Sequence, residues 1–237
     1  MHWSSFAATH VGHVRQINED AYLSRPDLGL WAVADGMGGH HAGDVASSSV
    51  INALSDVPST DRLAQFIDCV EDRLIGVNRR LQQMAEEHKN HCTIGSTVIA
   101  MLAAGNHSAF LWAGDSRAYR LRNKQLERVT RDHSQVEELV TRGLLSPEDA
   151  EGHPASNIIT RAVGAAADLY VDVNMVAVES GDIFLLCSDG LYKHIQDADM
   201  LDILQQDDLH AMVHQFIETT LARGASDNVT VIVTRAE

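Results

Sequence analysis

Residues 92–115 read CTIGSTVIAMLAAGNHSAFLWAGD and carry no charged side chain before Asp115. An uncharged run of this length imitates a membrane span. Its middle, Gly105-Asn106-His107, is turn chemistry instead. The β-branched Thr97-Val98-Ile99 stands on one side of that turn and Phe110-Leu111-Trp112 on the other. The stretch therefore reads as a hairpin of two buried strands that delivers an aspartate at its far end. No membrane segment is expected. The opening MHWSSFAATHVGHVRQINED also lacks the basic-then-apolar order of a signal peptide.

Outward from the hairpin, short apolar runs bounded by turn signals predict strands at 30–34, 96–102, 109–113, 118–121, 183–187 and 229–233. Leu63, Phe66, Ile67, Val70, Leu74, Leu81 and Met84 recur at helical spacing, with Ser59 or Thr60 as N-cap. A shorter helix is expected from about residue 43 to 54. Met212, Val213, Phe216, Ile217 and Leu221 predict a late helix that Gly224 ends. Regular βαβ alternation is missing, which argues against a Rossmann or TIM-barrel layout and for antiparallel sheet with helices outside. Within a single domain, 1–237, the polar stretch 132–160 stands apart. Ser146-Pro147-Glu148-Asp149 carries an N-cap, a proline at the first helical position and acids in the first turn. Residues 131–151 hold two basic and six acidic side chains, so an exposed helical flap is expected there.

Composition narrows the function. The 237 residues are 45% hydrophobic and 22% charged, which excludes a disordered or low-complexity chain. The net charge of −15 disfavours nucleic acid and anionic membranes as partners. Cys69, Cys92 and Cys187 form no CxxC pair, so neither a disulfide framework nor a structural zinc site is expected. A reducing compartment, the cytoplasm, follows.

The aspartates carry the chemistry. Asp35, Asp115 and Asp189 each end an apolar run beside a glycine, and Asp227 precedes the run NVTVIV. Antiparallel neighbours would bring all four carboxylates to one sheet edge. Crowded carboxylates raise one another's pKa values, and divalent cations relieve that penalty. Oxygen-only ligation selects Mg²⁺ or Mn²⁺ over zinc. A single Asp-Gly after a strand, however, most often makes a turn. On these residues alone the two readings stand side by side.

Eight segments favour the metal site. GHVRQINED (12–20), ADGMGGHHAG (34–43), GST (95–97), AGDSRAYRLR (113–122), TRDHS (130–134), ITRAVG (159–164), GDIFLLCSDGL (181–191) and SDNVT (226–230) resemble the metal-dependent protein phosphatases. These are the type 2C serine/threonine phosphatases, here in their compact bacterial form. The resemblance runs along almost the whole chain in family order. It implies an α+β fold, a four-layer αββα sandwich of two antiparallel β-sheets flanked by helices. It further implies two core Mn²⁺ or Mg²⁺ ions, with a third, weaker one in bacterial members. By the same resemblance Asp35 bridges the core ions and the Gly36 carbonyl reaches one of them. Asp189 and Asp227 hold the second. Glu19 and Asp20 act through metal-bound waters, Asp20 orienting the nucleophilic one. Asp115 with Asp189 matches the third position. Arg15 clamps the substrate phosphate, and His40, preferred over His41 by its place in the motif, is the general acid.

The chemistry suits those residue types. A serine or threonine oxygen is a poor leaving group, and a positioned acid gives ~10²–10⁴-fold. Two cations lower the pKa of water between them and neutralise charge on phosphoryl oxygens. A guanidinium binds phosphate bidentately where an ammonium cannot. Glycines 36, 38 and 39 are expected to allow close backbone approach and positive φ. Direct attack by water needs no phosphoenzyme.

Other residues read as structural. His88 and His91 beside Cys92 form a solvated cluster, and His10 and His13 take core or surface places. His133 and His153 fall at the ends of the flap. Ser96 and Ser188 sit in no Gly-x-Ser-x-Gly elbow, and Cys187 lies inside a strand without a Cys-x₅-Arg loop. Asp44 stands where members often carry Glu. The expected protein is a free, monomeric catalytic domain acting on phosphorylated proteins against a Ser/Thr kinase, by analogy in a secretion-system or cell-envelope process. A phosphoprotein-binding pseudophosphatase and another metal-dependent phosphate-ester hydrolase are the alternatives. The first would have lost a metal carboxylate; the negative charge and Arg15 disfavour the second.

Overall fold

The computed structural model describes residues 1–38, 42–58, 60–87, 93–150 and 152–237. The decisive hairpin forms. Strand β5 (Val98–Ala104) pairs antiparallel with β6 (His107–Ala113), from Val98 opposite Ala113 to Ala104 opposite His107. Gly105 makes the turn at φ +61°.

Two sheets follow from the remaining strands. One runs β2 (Asp20–Arg25), β3 (Leu30–Met37), β5, β6 and β9 (Asp172–Ala177), with the two-residue β4 (Gly95–Ser96) paired to β3. The other runs β1 (Trp3–His10), β11 (Val229–Ala236), β10 (Ile183–Cys187), β7 (Arg117–Arg122) and β8 (Gln125–Arg128). Every neighbouring pair is antiparallel. Helices α1 (Ala42–Ser55) and α2 (Leu63–Glu87) accompany the first sheet. Helices α5 (Asp189–Tyr192), α6 (Asp197–Leu204) and α7 (Leu209–Ala222) accompany the second. The four layers expected from the resemblance are present.

The central strands read as continuous apolar runs because both of their faces are buried. Along β3, Trp31 and Val33 face the opposite sheet while Leu30, Ala32 and Ala34 join the helix-side core of α1 and α2. Phe184 and Leu186 of β10 likewise face the opposite sheet, and Ile183, Leu185 and Cys187 join the other helix-side core, that of α5, α6 and α7. Aromatic rings fill the space between sheets: Trp3 lies 5.1 Å from Trp31 and Phe110 lies 5.6 Å from Phe184, centroid to centroid. Burial pushes the Cys187 thiol up to about 12, an inert core cysteine.

Caps explain the helix ends. Asp208 accepts the His210 N–H at 3.1 Å to start α7, and Gly224 at φ +110° closes it. Helix α2 begins at Leu63, and Thr60 serves the turn before it by accepting the Arg62 N–H at 3.3 Å. Ser59, His88, His91 and Cys92 lie outside the described residues. No described helix is long and apolar enough to cross a membrane.

Residues 132–160 leave the second sheet after β8 and return towards β4. Their ends are stapled: Ser134 bridges Ile159, and the His133 carbonyl accepts the Thr160 N–H at 2.8 Å. Between them sit α3 (Gln135–Thr141), capped by Ser134, and α4 (Pro147–Ala150). Ser146 accepts the Asp149 N–H at 3.2 Å and donates to its carboxylate at 2.6 Å, the reciprocal cap its sequence announces.

Candidate active site

Strand register delivers the carboxylates. Asp20 opens β2 directly opposite Asp35 of β3. Asp115 follows β6, Asp189 opens α5 after β10, and Asp227 lies just before β11. All five lie at one end of the sandwich and feel one another. Burial first, then the charges of Asp20, Asp189, Asp115 and Asp227, hold Asp35 well above the usual carboxylate range. Burial, with Asp189 and Asp227 adding to it, pushes Asp20 up to about 7. Burial, with Asp189 and Asp132, does the same to Asp115, also to about 7.

The backbone of Asp35 is fixed by the GST segment. Its N–H donates to Thr97 Oγ1 at 3.0 Å, and its carbonyl accepts the Thr97 N–H at 2.8 Å and the Ser96 hydroxyl at 3.1 Å. Gly36 follows because nothing larger fits: a Cβ there would stand 2.0 Å from the Gly43 carbonyl oxygen and 2.7 Å from that of Glu19. Neither Gly36 nor Gly38 has a positive φ, so close approach alone explains these two. Gly39 and both His40 and His41 lie outside the described residues.

A chain of hydroxyls fixes Asp20. Its Oδ2 accepts from Thr230 at 2.7 Å and from Ser188 at 2.8 Å. Thr230 has then spent its proton, so Thr9, 2.8 Å away, must donate to it, and Asn18 Nδ2 in turn donates to Thr9 at 2.8 Å. The direction Asn18 to Thr9 to Thr230 to Asp20 follows from proton count. Asn228 ties down the loop in front. Its side chain donates to the carbonyls of Val11 and Ile17 and accepts the Glu19 N–H at 2.8 Å. Gly12 at φ +80° lets that loop pass Asp227.

Arg15 emerges from the same loop, its side chain about half exposed, and grips Asp227 through Nε and Nη2, each at 2.8 Å. Lys193 pairs with Asp189. With Asp20, Asp189 and Asp227 held in these ways, no three His, Cys, Asp or Glu side chains among the described residues already converge on one coordination point. The donor set nonetheless fits a hard divalent cation. Asp20 Oδ1 and Asp115 Oδ1 are buried with no hydrogen-bond partner, and the groups gathered here are oxygen donors of one charge.

Ser96, Thr97, Ser188, Thr230, Thr9, Asn18 and Asn228 received no role from the sequence. Some signal existed: Thr230 interrupts an apolar strand, and a hydroxyl buried there needs a partner. His133, at a flap end, also has a role at the site. It grips Gly114 beside Asp115, its N–H on the Gly114 carbonyl at 2.9 Å and its Nδ1 accepting the Gly114 N–H at 3.2 Å.

A helix-flanked double sheet thus gathers aspartates at one end, a donor set suited to divalent cations. A family profile described as Protein phosphatase 2C matches residues 9–231, and the chain belongs to that family. It is 38% identical over 231 residues to the serine/threonine protein phosphatase PstP of Mycobacterium tuberculosis, covering 96% of this chain and 44% of PstP. The chain thus spans under half the length of that relative. Among solved structures, PppA, a regulatory component of the type VI secretion system of Pseudomonas aeruginosa, superposes with a TM-score of 0.92 at 42% identity, covering 100% of this chain and 99% of that one. The PstP catalytic domain in complex with two manganese ions superposes at 0.86 with 35% identity, covering 99% of both.

Proposed function

We propose that this chain is a protein serine/threonine phosphatase that hydrolyses phosphoserine and phosphothreonine with two Mn²⁺ or Mg²⁺ ions. The observation that carries the reading is the gathering of five aspartates at one end of the sheets, with Asp20 Oδ1 and Asp115 Oδ1 buried there without a hydrogen-bond partner. Asp35 with the Gly36 carbonyl, Asp189 and Asp227 would hold the ions directly, and Glu19 and Asp20 through water. Such ions supply an activated water and neutralise charge on the phosphoryl group.

The chain's own groups do the rest. Arg15 has five N–H donors and spends two on Asp227, which leaves three for the oxygens of a phosphate. One residue can therefore hold the ligand set and the substrate together. Asp20 turns Oδ2 to two hydroxyls and keeps Oδ1 free to accept a proton from attacking water. His40 is assigned the proton for the leaving oxygen, a task for an imidazole near neutral pH.

None of Asp35, Asp189 and Asp227 is missing, so the phosphoprotein-binding pseudophosphatase is not favoured. The physiological context we propose is opposition to a Ser/Thr kinase, by a monomer in the cytoplasm. The likeness to PppA supports a secretion-system setting. The free thiols of Cys69 and Cys187 suit a reducing compartment. The test is hydrolysis of a phosphothreonine peptide by wild type and Asp35→Asn, with Mn²⁺ or EDTA. Activity should require Mn²⁺ and fall more than ~100-fold in the variant, beyond what losing an outer-shell partner costs. A folded, Mn²⁺-loaded wild type that binds phosphopeptides without cleaving them would defeat the reading.

A further inference from the structure

Strand β9 ends its sheet, and no described strand pairs with its outer side. The Val178 N–H, just past the strand, donates to the Asn106 carbonyl at 2.8 Å, towards β6. Backbone groups alternate along a strand. Those of Val176, Asn174 and Asp172 therefore turn to β6, and those of Ala177, Met175 and Val173 turn outward. Arg122 fits that alternation by donating to the outward Ala177 carbonyl at 2.8 Å, and so caps one end of the edge. Side chains alternate too. Asn174 donates to the Val129 carbonyl at 3.0 Å and Val176 packs between the sheets, so Val173 and Met175 point to the outer face. The helices leave these two 42% and 63% exposed, and Tyr170, just before the strand, 67% exposed. Edges of this kind are commonly guarded by a charged side chain, lysine above all, or by proline. Residues 162–178 contain no Lys, Arg or Pro.

Outward backbone groups beside alternate apolar side chains suit an added extended strand. Charge and position say whose strand it is. The chain carries −15, and Asp168 stands exposed beside the edge. A second copy brings the same −15 and is repelled, whereas a strand flanked by Lys or Arg is attracted. Asp172 opens β9 opposite Trp112, and the chain runs on from there to Asp115, so the edge starts at the carboxylate end. Strand spacings put the free side of Val173, opposite Leu111, roughly 16 Å from Asp115, or about five extended residues. A guest antiparallel to β9 runs towards that end.

We propose that the open edge of β9 docks the phosphoprotein substrate. The docked segment is extended, carries alternate apolar residues with flanking Lys or Arg, and lies N-terminal to the phosphorylated residue, adding antiparallel along Val173 and Met175. This rests on the phosphatase reading above.

The test uses a phosphothreonine peptide in Mn²⁺, bare or extended by a Lys-flanked Val-Thr-Val-Thr-Val run placed about five residues before the phosphothreonine. A third peptide keeps the lysines and replaces the valines by glycine. The valine run should lower KM by about 10-fold at unchanged kcat, the mark of binding remote from the reaction, and the glycine run should not. Met175→Pro deletes only an outward N–H, which an edge strand tolerates, and Met175→Lys guards the edge. Both variants should erase the gain in KM and still cleave a small aryl phosphate at the wild-type rate. The unphosphorylated valine peptide should bind wild type and neither variant in fluorescence anisotropy. A KM indifferent to the run, or a gain that survives both variants, would overturn the docking site and leave the phosphatase reading intact. Self-association of wild type that is lost in Met175→Pro would give the edge to a second copy instead. A folded wild type that cleaves no phosphopeptide would defeat the phosphatase reading, and the substrate role of this edge with it.

Discussion

At the scale of single residues, the site depends on where protons are already committed. Thr230 has one hydroxyl proton and gives it to Asp20, so a neutral group partly offsets the burial that pushes the carboxylate up to about 7. Thr230→Val removes that donor while nearly preserving shape. Asp20 should then climb further above about 7, and Mn²⁺ affinity at neutral pH should fall by ~10–100-fold, the usual cost of losing an outer-shell partner. Raising the pH should restore part of it, because the lost bond opposed only protonation. Calorimetric titration of wild type and variant with Mn²⁺ at two pH values checks this, and equal affinities would remove Thr230 from the site. The sequence marks this residue only faintly, for a physical reason. A threonine in a strand carries the same β-branched signal whether its hydroxyl is idle or in service. Asp35, Asp189 and Asp227 stand out as candidates because a carboxylate closing or opening an apolar run recurs, while their assignment as ligands comes from the family resemblance.

Among elements, legibility followed burial. Strands β3, β5, β6, β10 and β11 are covered on both faces and declare themselves as apolar runs. Strands β1, β2, β8 and β9 lie at sheet edges and pack less completely; β1, β2 and β9 mix Ser, Thr, Asn or Asp into their sequences and β8 is the four-residue Gln-Leu-Glu-Arg, so no pattern predicts them. Yet β2 positions Asp20, and its place came from the family resemblance rather than from periodicity. Loops were equally silent. Asn78, buried in α2, accepts the Gly164 N–H at 2.6 Å and donates to the carbonyls of Ala166 and Ala167. Asn78→Leu would strand these backbone groups at a cost of about 2 kcal/mol. At ~2–4 °C per kcal/mol for a domain of this size, melting should drop by roughly 4–8 °C, and an unchanged melting curve would show the loop held by other means. The flap invites a different measurement. Its stapled ends allow residues 136–157 to be replaced by a short Gly-Ser linker without disturbing the Ser134–Ile159 bridge. That variant should lose more activity on phosphoproteins than on a small aryl phosphate. Equal losses on both would take substrate selection away from the flap.

For the molecule as a whole, the carboxylate end of the sandwich couples stability to both pH and metal. Asp20 and Asp115 have folded-state values of about 7, against ~3.9 for aspartate in an unfolded chain. Between those values the folded, metal-free protein binds more protons than the unfolded one. Its stability therefore declines as pH rises through the folded-state values of Asp20 and Asp115, and Asp35, also raised by burial, acts in the same direction. Divalent cations reverse the trend, since they favour the ionised carboxylates that acid would protonate. Ligand at 100 times its dissociation constant stabilises by ~2.7 kcal/mol. For a domain of this length that is roughly 5–10 °C. The melting temperature in Mn²⁺ should thus exceed that in EDTA by about this amount at pH 8, and the gap should close towards pH 5. Histidines and surface charges shift both curves together, so the difference isolates the site. A gap that stays constant from pH 5 to 8 would mean that the cations sit elsewhere than on these aspartates.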